Sequence, residues 1–280
     1  MTDRIRKQIL LTNDDGIDSP GLWAAAQALS TLGYVTVAAP RDQASSTGRS
    51  LPISSDGRIA LRRLRIGDQE WPVYAVGGTP AQVVLHTVLE IMPQPPDLVV
   101  SGINYGENVG TSITISGTVG AALEGASLGF PALAMSLQMR DSSYFYSHSA
   151  DVDFSAAAYF TAYFARLLLE KKMPADVDAL KVDVPYDATP QTDWDITRLA
   201  RDRYYVPYAH RTGSLEETGS IRARLQVDIE HLIPKTDLHC LLNQRKVSVT
   251  PLSLDMTSRV EAVEMESWMR KMAGEGERDR

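Results

Sequence analysis

The sequence predicts an α/β fold with a mostly parallel sheet flanked by helices. Three observations lead there. Short apolar runs bounded by turn residues recur through the first 140 residues and alternate with helical patterns. Each of the first runs ends in a polar or glycine-rich loop. Strands alternating with helices imply parallel βαβ units with right-handed crossovers.

The elements follow in order. Gln8 to Thr12 reads as a buried strand. Ser19 is the expected N-cap and Pro20 the first residue of a helix reaching about Thr31, stopped at Gly33. Tyr34 to Ala39 is a second strand, ended by Pro40, and a polar loop runs from Arg41 to Ser50. Residues 58–76 read as a two-stranded excursion around Gly67-Asp68. Thr79-Pro80 opens a helix to about Glu90, and Asp97 to Ser101 is a third buried strand. A glycine-punctuated loop follows from Gly102 to Ile115. Ser116 opens a helix to Leu128, and Ala132 to Leu137 is a strand. Residues 151–172 form a long helical pattern whose Ala, Tyr, Phe and Leu stripe reads as core, and Ala179 to Val184 a strand. Beyond 194 the texture changes: Trp194 to Leu199, Ile221 to Ile229 and Lys246 to Pro251 are strand-like, with irregular links. The expected division is a core at 1–193, an extension at 194–270 and a frayed tail at 271–280. No internal repeat is seen.

Composition narrows the function classes. A chain of 280 residues with 44% hydrophobic and 22% charged content can bury a full core. Its net charge of −7 argues against binding polymeric nucleic acid, which needs cationic surface. Cys240, a lone cysteine in an apolar stretch, excludes an internal disulfide framework and reads as a core residue. No stretch approaches membrane-span length, and Asn13-Asp14-Asp15 breaks the N-terminal apolar run too early for a secretory signal. The expectation is a cytoplasmic protein without a membrane partner.

Four segments could carry chemistry. Asn13-Asp14-Asp15-Gly16 places two adjacent carboxylates where a buried strand ends. Ligands of open α/β sheets bind at such ends. Neighbouring carboxylates repel, so the pair suits water or a cation. The tetrapeptide is equally good turn chemistry, and alone it leaves both readings open. The second segment, Gln43 to Gly48, contains Ser45; the third, Ser101 to Asn108, contains Asn104; the fourth is Ser116-Gly117-Thr118. Carboxylate, hydroxyl and amide oxygens suit a hard divalent cation. His86, His148, His210, His231 and His239 form no zinc pattern. Ser116-Gly117-Thr118 at a helix start offers free N–H groups and hydroxyls to a phosphate, or acts as a simple N-cap. Glu107 reads as a solvated loop residue, and Tyr105 as a base-stacking or merely exposed one.

Taken together, Asn13-Asp14-Asp15-Gly16 with Ser19-Pro20-Gly21, Ser101-Gly102-Ile103-Asn104 with Asn108, and Ser116-Gly117-Thr118-Val119 resemble the signature segments of the SurE family, survival proteins acting as 5′/3′-nucleotidases. Order and spacing match over residues 8–137, with weaker echoes at Thr236-Asp237 and Val247 to Leu252. The resemblance implies a Rossmann-like core hydrolysing nucleoside monophosphates. It implies one divalent ion per subunit, Mg²⁺ or Mn²⁺, held by Asp14, Asp15, Ser45 and Asn104. Asn108, Ser116, Gly117 and Thr118 would grip the phosphoryl group, and Asp15, Asn108, Ser116 and Thr118 would form the catalytic set. Asp15 is the candidate base, although a carboxylate bound to a cation is a poor one. A homodimer or homotetramer with swapped C-terminal segments is also implied. The chain departs from the family pattern at Ser46, Arg49, Gln82 and Ile115, and shows no match to the family's Asp-Pro-Arg-Gly-like loop between 204 and 220. Two alternatives stand beside this reading. An aspartyl-nucleophile phosphatase usually has two Asp residues two apart, against which Asn13 counts. The other is a non-catalytic phosphoacceptor or nucleotide-binding module; receiver-like domains need a separate phosphoacceptor Asp and a lysine at later strand ends, where Ser101 and Asn104 stand instead.

Overall fold

The computed structural model describes residues 6–66, 69–141, 144, 148–149 and 151–275. Eleven strands and six α-helices follow in chain order: β1 (Lys7–Thr12), α1 (Pro20–Leu29), β2 (Gly33–Pro40), β3 (Ile59–Ile66), β4 (Gln69–Val76), α2 (Pro80–His86), β5 (Leu98–Tyr105), α3 (Gly117–Ser127), β6 (Ala132–Leu137), α4 (Ser155–Glu170), β7 (Ala179–Val184), β8 (Trp194–Ile196), β9 (Tyr205–His210), β10 (Ser220–Leu225), α5 (Asp237–Leu242), β11 (Val247–Leu252) and α6 (Ala262–Glu275).

Nine strands form one sheet in the order β3-β4-β2-β1-β5-β6-β7-β11-β8. The run from β4 to β7 is parallel, whereas β3 is antiparallel to β4 and β11 antiparallel to β7. The middle of β1 is buried on both faces, which is why it reads as a continuous apolar run rather than an alternation. Ile9 and Leu11 belong to the core under α1 and α4, and Leu10 and Val99 to the core under α2 and α3. Successive strands thus send alternate side chains into two helical layers. β1 lies between β2 and β5. The chain therefore leaves β1 to one side and returns on the other, making the carboxyl ends of β1 and β5 the switch point of the sheet.

Several boundaries differ from the sequence reading. β5 does not stop at Ser101. Its pairing with β6 shifts register between Ser101 and Asn104 and continues to Tyr105, so the first residues of the expected loop are strand. α2 ends at His86 and passes into a π turn at Thr87–Ile91. Ser19 flanks α1, but its side chain makes no capping bond. Strand β9 and helices α5 and α6 were not apparent from the sequence, and α6 runs past 271 to Glu275. The remaining tail, 276–280, and the Gly67-Asp68 turn lie outside the described residues. In the 194–270 region, β8 and β11 extend the main sheet, while β9 and β10 form a separate two-stranded ribbon. Cys240 is buried, and burial pushes its thiol up to about 12. No helix among the described residues is long and apolar enough to cross a membrane.

Candidate active site

The two readings of the first loop coexist. Asn13 closes a turn on Gly16: its amide donates to the Gly16 carbonyl at 3.1 Å and accepts the Gly16 N–H at 3.2 Å. That turn holds Asp14 and Asp15 at the mouth of β1, 4% and 1% exposed.

The other three segments converge on the pair. The Ala44 N–H donates to the Asp14 carbonyl at 2.7 Å, docking the second loop, and the Gly48 N–H reaches the Ile115 carbonyl. The Tyr105 N–H, at the end of β5, donates to Asp15 Oδ2 at 3.0 Å. Gln43 Nε2 donates to Asp15 Oδ1 and to Ser45 Oγ, both at 3.1 Å. Asn104 donates its amide nitrogen to the Gly106 carbonyl, so its oxygen is the atom it could offer a cation. Asn108 donates its N–H to Asp183 and its amide to Ser136 Oγ. Ser116 caps α3 by accepting the Val119 N–H.

Asp14 itself sits at the start of α3. Its carboxylate accepts the Thr118 hydroxyl at 2.6 Å and the Thr118 N–H at 3.1 Å. Gly117 makes this approach possible, because a Cβ there would lie 2.7 Å from Asp14 Cβ. Free N–H groups and the helix dipole favour an anion at this end. The first anion there is the chain's own.

Burial raises both carboxyl pKa values. Asp15 is pushed well above the ordinary carboxylate range by burial and, second, by the charge of Asp14. Among the described residues no lysine, arginine or histidine compensates either group. A buried charge is tolerated when paired or when it coordinates a metal. Two ionised carboxylates with a hydroxyl and an amide oxygen suit a hard cation such as Mg²⁺ or Mn²⁺. No cluster of three or more His, Cys, Asp and Glu occurs among the described residues, so any cation here needs those neutral oxygens.

Other expectations change. Glu107 is not solvated: it is 3% exposed and accepts the Tyr204 hydroxyl at 2.6 Å. Tyr105 is not an exposed stacking residue. It packs edge-on against Phe154, 3% exposed. Arg49, a departure from the family pattern, pairs with the buried Glu124. The sequence reading missed Gln43 as a bridge between donors. It also missed a fully buried triad in which Lys181 Nζ contacts Asp183 at 2.5 Å and Asp237 at 3.1 Å. Asp183 accepts the Asn108 N–H, and Asp237 the Gly110 N–H at 2.9 Å, so the triad anchors the third loop from beneath. Lys and Asp two apart inside an apolar strand were the available signal. A groove of about 720 Å³ between α1 and residues 151–158 touches none of the four segments.

Fold and site define an open α/β protein with a buried carboxylate pair and neighbouring oxygen donors at the switch point of its sheet. The family model of "Survival protein SurE" matches residues 9–206. The 5′-nucleotidase SurE of Methanosarcina acetivorans is 41% identical over 271 residues, covering 94% of this chain and 97% of the relative. That of Thermococcus gammatolerans is 43% identical over 262 residues, covering 91% and 92%. The crystal structure of the SurE protein from Aquifex aeolicus superposes with a TM-score of 0.70 at 33% identity, covering 90% of this chain and 95% of that one. The chain belongs to the SurE family.

Proposed function

We propose that this protein is a divalent-cation-dependent 5′-nucleotidase that hydrolyses nucleoside monophosphates to nucleoside and phosphate, with 3′-monophosphates as further candidate substrates. The observation that carries the cation requirement is the adjacent, buried Asp14–Asp15 pair without a basic partner among the described residues. Relatives named 5′-nucleotidase over more than nine-tenths of the chain support the activity.

In this reading Asp14, Asp15, Ser45 and Asn104 hold one Mg²⁺ or Mn²⁺. When bound, the cation supplies Lewis-acid chemistry, offsetting charge on the phosphoryl oxygens. Asn108, Ser116 and the start of α3 at Gly117 bind and orient the phosphoryl group. Thr118 moves from phosphate contact to positioning, because its hydroxyl and N–H both serve Asp14. Asp15 is assigned to holding the cation rather than a proton, since a carboxylate bound to a cation is a poor base. Exposed apolar side chains on β10 (Ile221, Leu225) and α6 (Trp268, Met269) support a homodimer or homotetramer formed through the 194–270 region, which light scattering tests. The lone buried thiol suits a cytoplasmic setting.

The test is phosphate release from 5′- and 3′-nucleotides with Mn²⁺, Mg²⁺ or EDTA. Release with cation and its loss in EDTA are expected; an undiminished rate in EDTA refutes the cation requirement. Asp14→Asn should abolish turnover in a folded protein, and an active variant removes Asp14 from the donor set.

A further inference from the structure

The third loop is fastened from two sides after β5. From beneath, Asp183 accepts the Asn108 N–H at 2.7 Å and Asp237 accepts the Gly110 N–H at 2.9 Å. The other fastening comes from the segment that follows β8, and the chemistry above gives it no role. Glu107, next to Asn108, is buried, and its Oε1 accepts the Tyr204 hydroxyl at 2.6 Å. Its Oε2 accepts the Met139 N–H at 3.3 Å. The Tyr205 hydroxyl donates to the Glu107 carbonyl at 3.4 Å.

We propose that Tyr204 is a positioning residue for the nucleotidase reaction: by holding Glu107 it sets the neighbouring Asn108 amide for the substrate's phosphoryl group. The inference rests on the nucleotidase reading and adds a residue of the 194–270 extension to the phosphate site.

Three observations carry it. First, the aim of Asn108 depends on its backbone. Its side-chain amide has two N–H bonds, and one goes to Ser136 Oγ at 2.9 Å. The second suits a phosphoryl oxygen, provided the chain at 107–108 keeps the amide in register with the substrate. Second, Tyr204 is itself fixed. It is buried in a small apolar cluster with Val109 of the loop and with Ala200, Leu238 and Leu241 of the extension, so loop and extension share one core. Its carbonyl accepts the Gln226 N–H at 3.0 Å, and its ring packs edge-on against Tyr205 with centroids 4.8 Å apart. A binding group keeps its geometry when the residues behind it are locked by packing and hydrogen bonds. Third, the Glu107 carboxylate depends on this hydroxyl. Burial raises its pKa, and the bond from Tyr204 is the largest influence opposing that rise. An O–H···O⁻ contact of 2.6 Å is among the short, strong ones. Without it a buried acceptor loses its partner, and Glu107 gives up its place beside Asn108.

The experiment measures kcat and KM for 5′-AMP and the Ki of inorganic phosphate, all at saturating Mn²⁺. It uses the full chain as wild type, Tyr204→Phe, Glu107→Ala, the double variant and Glu107→Gln, with melting curves to verify folding. In Tyr204→Phe, KM and the phosphate Ki should rise together by about tenfold while kcat and the Mn²⁺ requirement change little. Adding Tyr204→Phe to Glu107→Ala should change the Ki by less than about twofold, because the tyrosine acts through the glutamate. Glu107→Gln should recover most of the loss seen in Glu107→Ala, since its oxygen can accept the Met139 N–H while its nitrogen donates to the Tyr204 hydroxyl. The proposal is overturned if Tyr204→Phe leaves KM and Ki within about threefold of wild type, or if the two substitutions multiply their effects as independent sites do. A rise in KM that comes only with a raised Mn²⁺ requirement overturns it as well. Should Tyr204→Phe not fold, equal Ki values for Glu107→Gln and Glu107→Ala overturn it, and a gap of about tenfold supports it. A wild type that releases no phosphate from 5′-AMP overturns the nucleotidase reading instead, and calorimetric titration of the Mn²⁺-loaded proteins with inorganic phosphate then decides the role of Tyr204 on its own.

Discussion

Thr118→Val separates two roles for one residue. Thr118 is fully buried, and valine keeps its β-branch and nearly its volume. The variant deletes the hydroxyl that donates to Asp14 Oδ1 at 2.6 Å and leaves the N–H that donates to Oδ2. A hydrogen bond to a charged group contributes about 1.5–3 kcal/mol. The short distance places this one among the stronger O–H···O⁻ contacts. Since Asp14 is assigned to the cation, the loss should appear in cation affinity, as a factor of about 10–150. Groups that orient metal ligands typically matter by about 10–100-fold. The assay is the Mn²⁺ concentration giving half-maximal phosphate release at saturating nucleotide, checked by calorimetric titration without substrate. The Mn²⁺ requirement should rise about 10–100-fold while KM at saturating Mn²⁺ changes little. An unchanged requirement with KM raised by the same factor would refute the argument and return Thr118 to the phosphate.

Two further predictions use the buried charges. The folded-state pKa values of Asp14 and Asp15 lie above the ordinary 3.8, burial being the main cause in both. Their contribution to stability is therefore full below that value and is lost as pH rises through the raised folded values. In EDTA the melting temperature should fall across that window towards neutral pH, less steeply in Asp15→Asn, and Mn²⁺ should flatten the wild-type profile; coincident curves for the two proteins would contradict this. Lys181→Met leaves Asp183 and Asp237 buried without their cation. Breaking a buried pair costs about 3–5 kcal/mol, a melting temperature lower by about 6–20 °C. Asn108 should loosen with it, raising KM for the nucleotide; a drop of under about 2 °C would show that the triad anchors nothing.

The elements read correctly from the sequence were those with local causes. β1 is a short apolar run cut by a turn, and α2 carries its cap and its proline in adjacent residues. What escaped depended on partners far along the chain. Glu107 has the composition of a solvated loop residue, but its partner Tyr204 is 97 residues away. Among the described residues β9 pairs only with β10, and Tyr208 to His210 are exposed, so that stretch offers no clear buried face to read.

Ser116-Gly117-Thr118 shows most sharply where local reading stops. Its residue types announce a helix start that attracts an anion, and that physics holds. Which anion arrives first is settled by a contact spanning 104 residues, from Thr118 to Asp14. The Thr118 hydroxyl and N–H favour the ionised form of this carboxylate, although burial still holds its pKa above the ordinary value. In the proposed reading, the helix start thus prepares one donor of the cation. The substrate's phosphoryl group approaches an end whose first N–H groups are already partly engaged. On that reading its charge is met by the proposed cation together with Asn108 and Ser116, which is why removing the Thr118 hydroxyl should register first in the Mn²⁺ requirement and only afterwards in the nucleotide's KM.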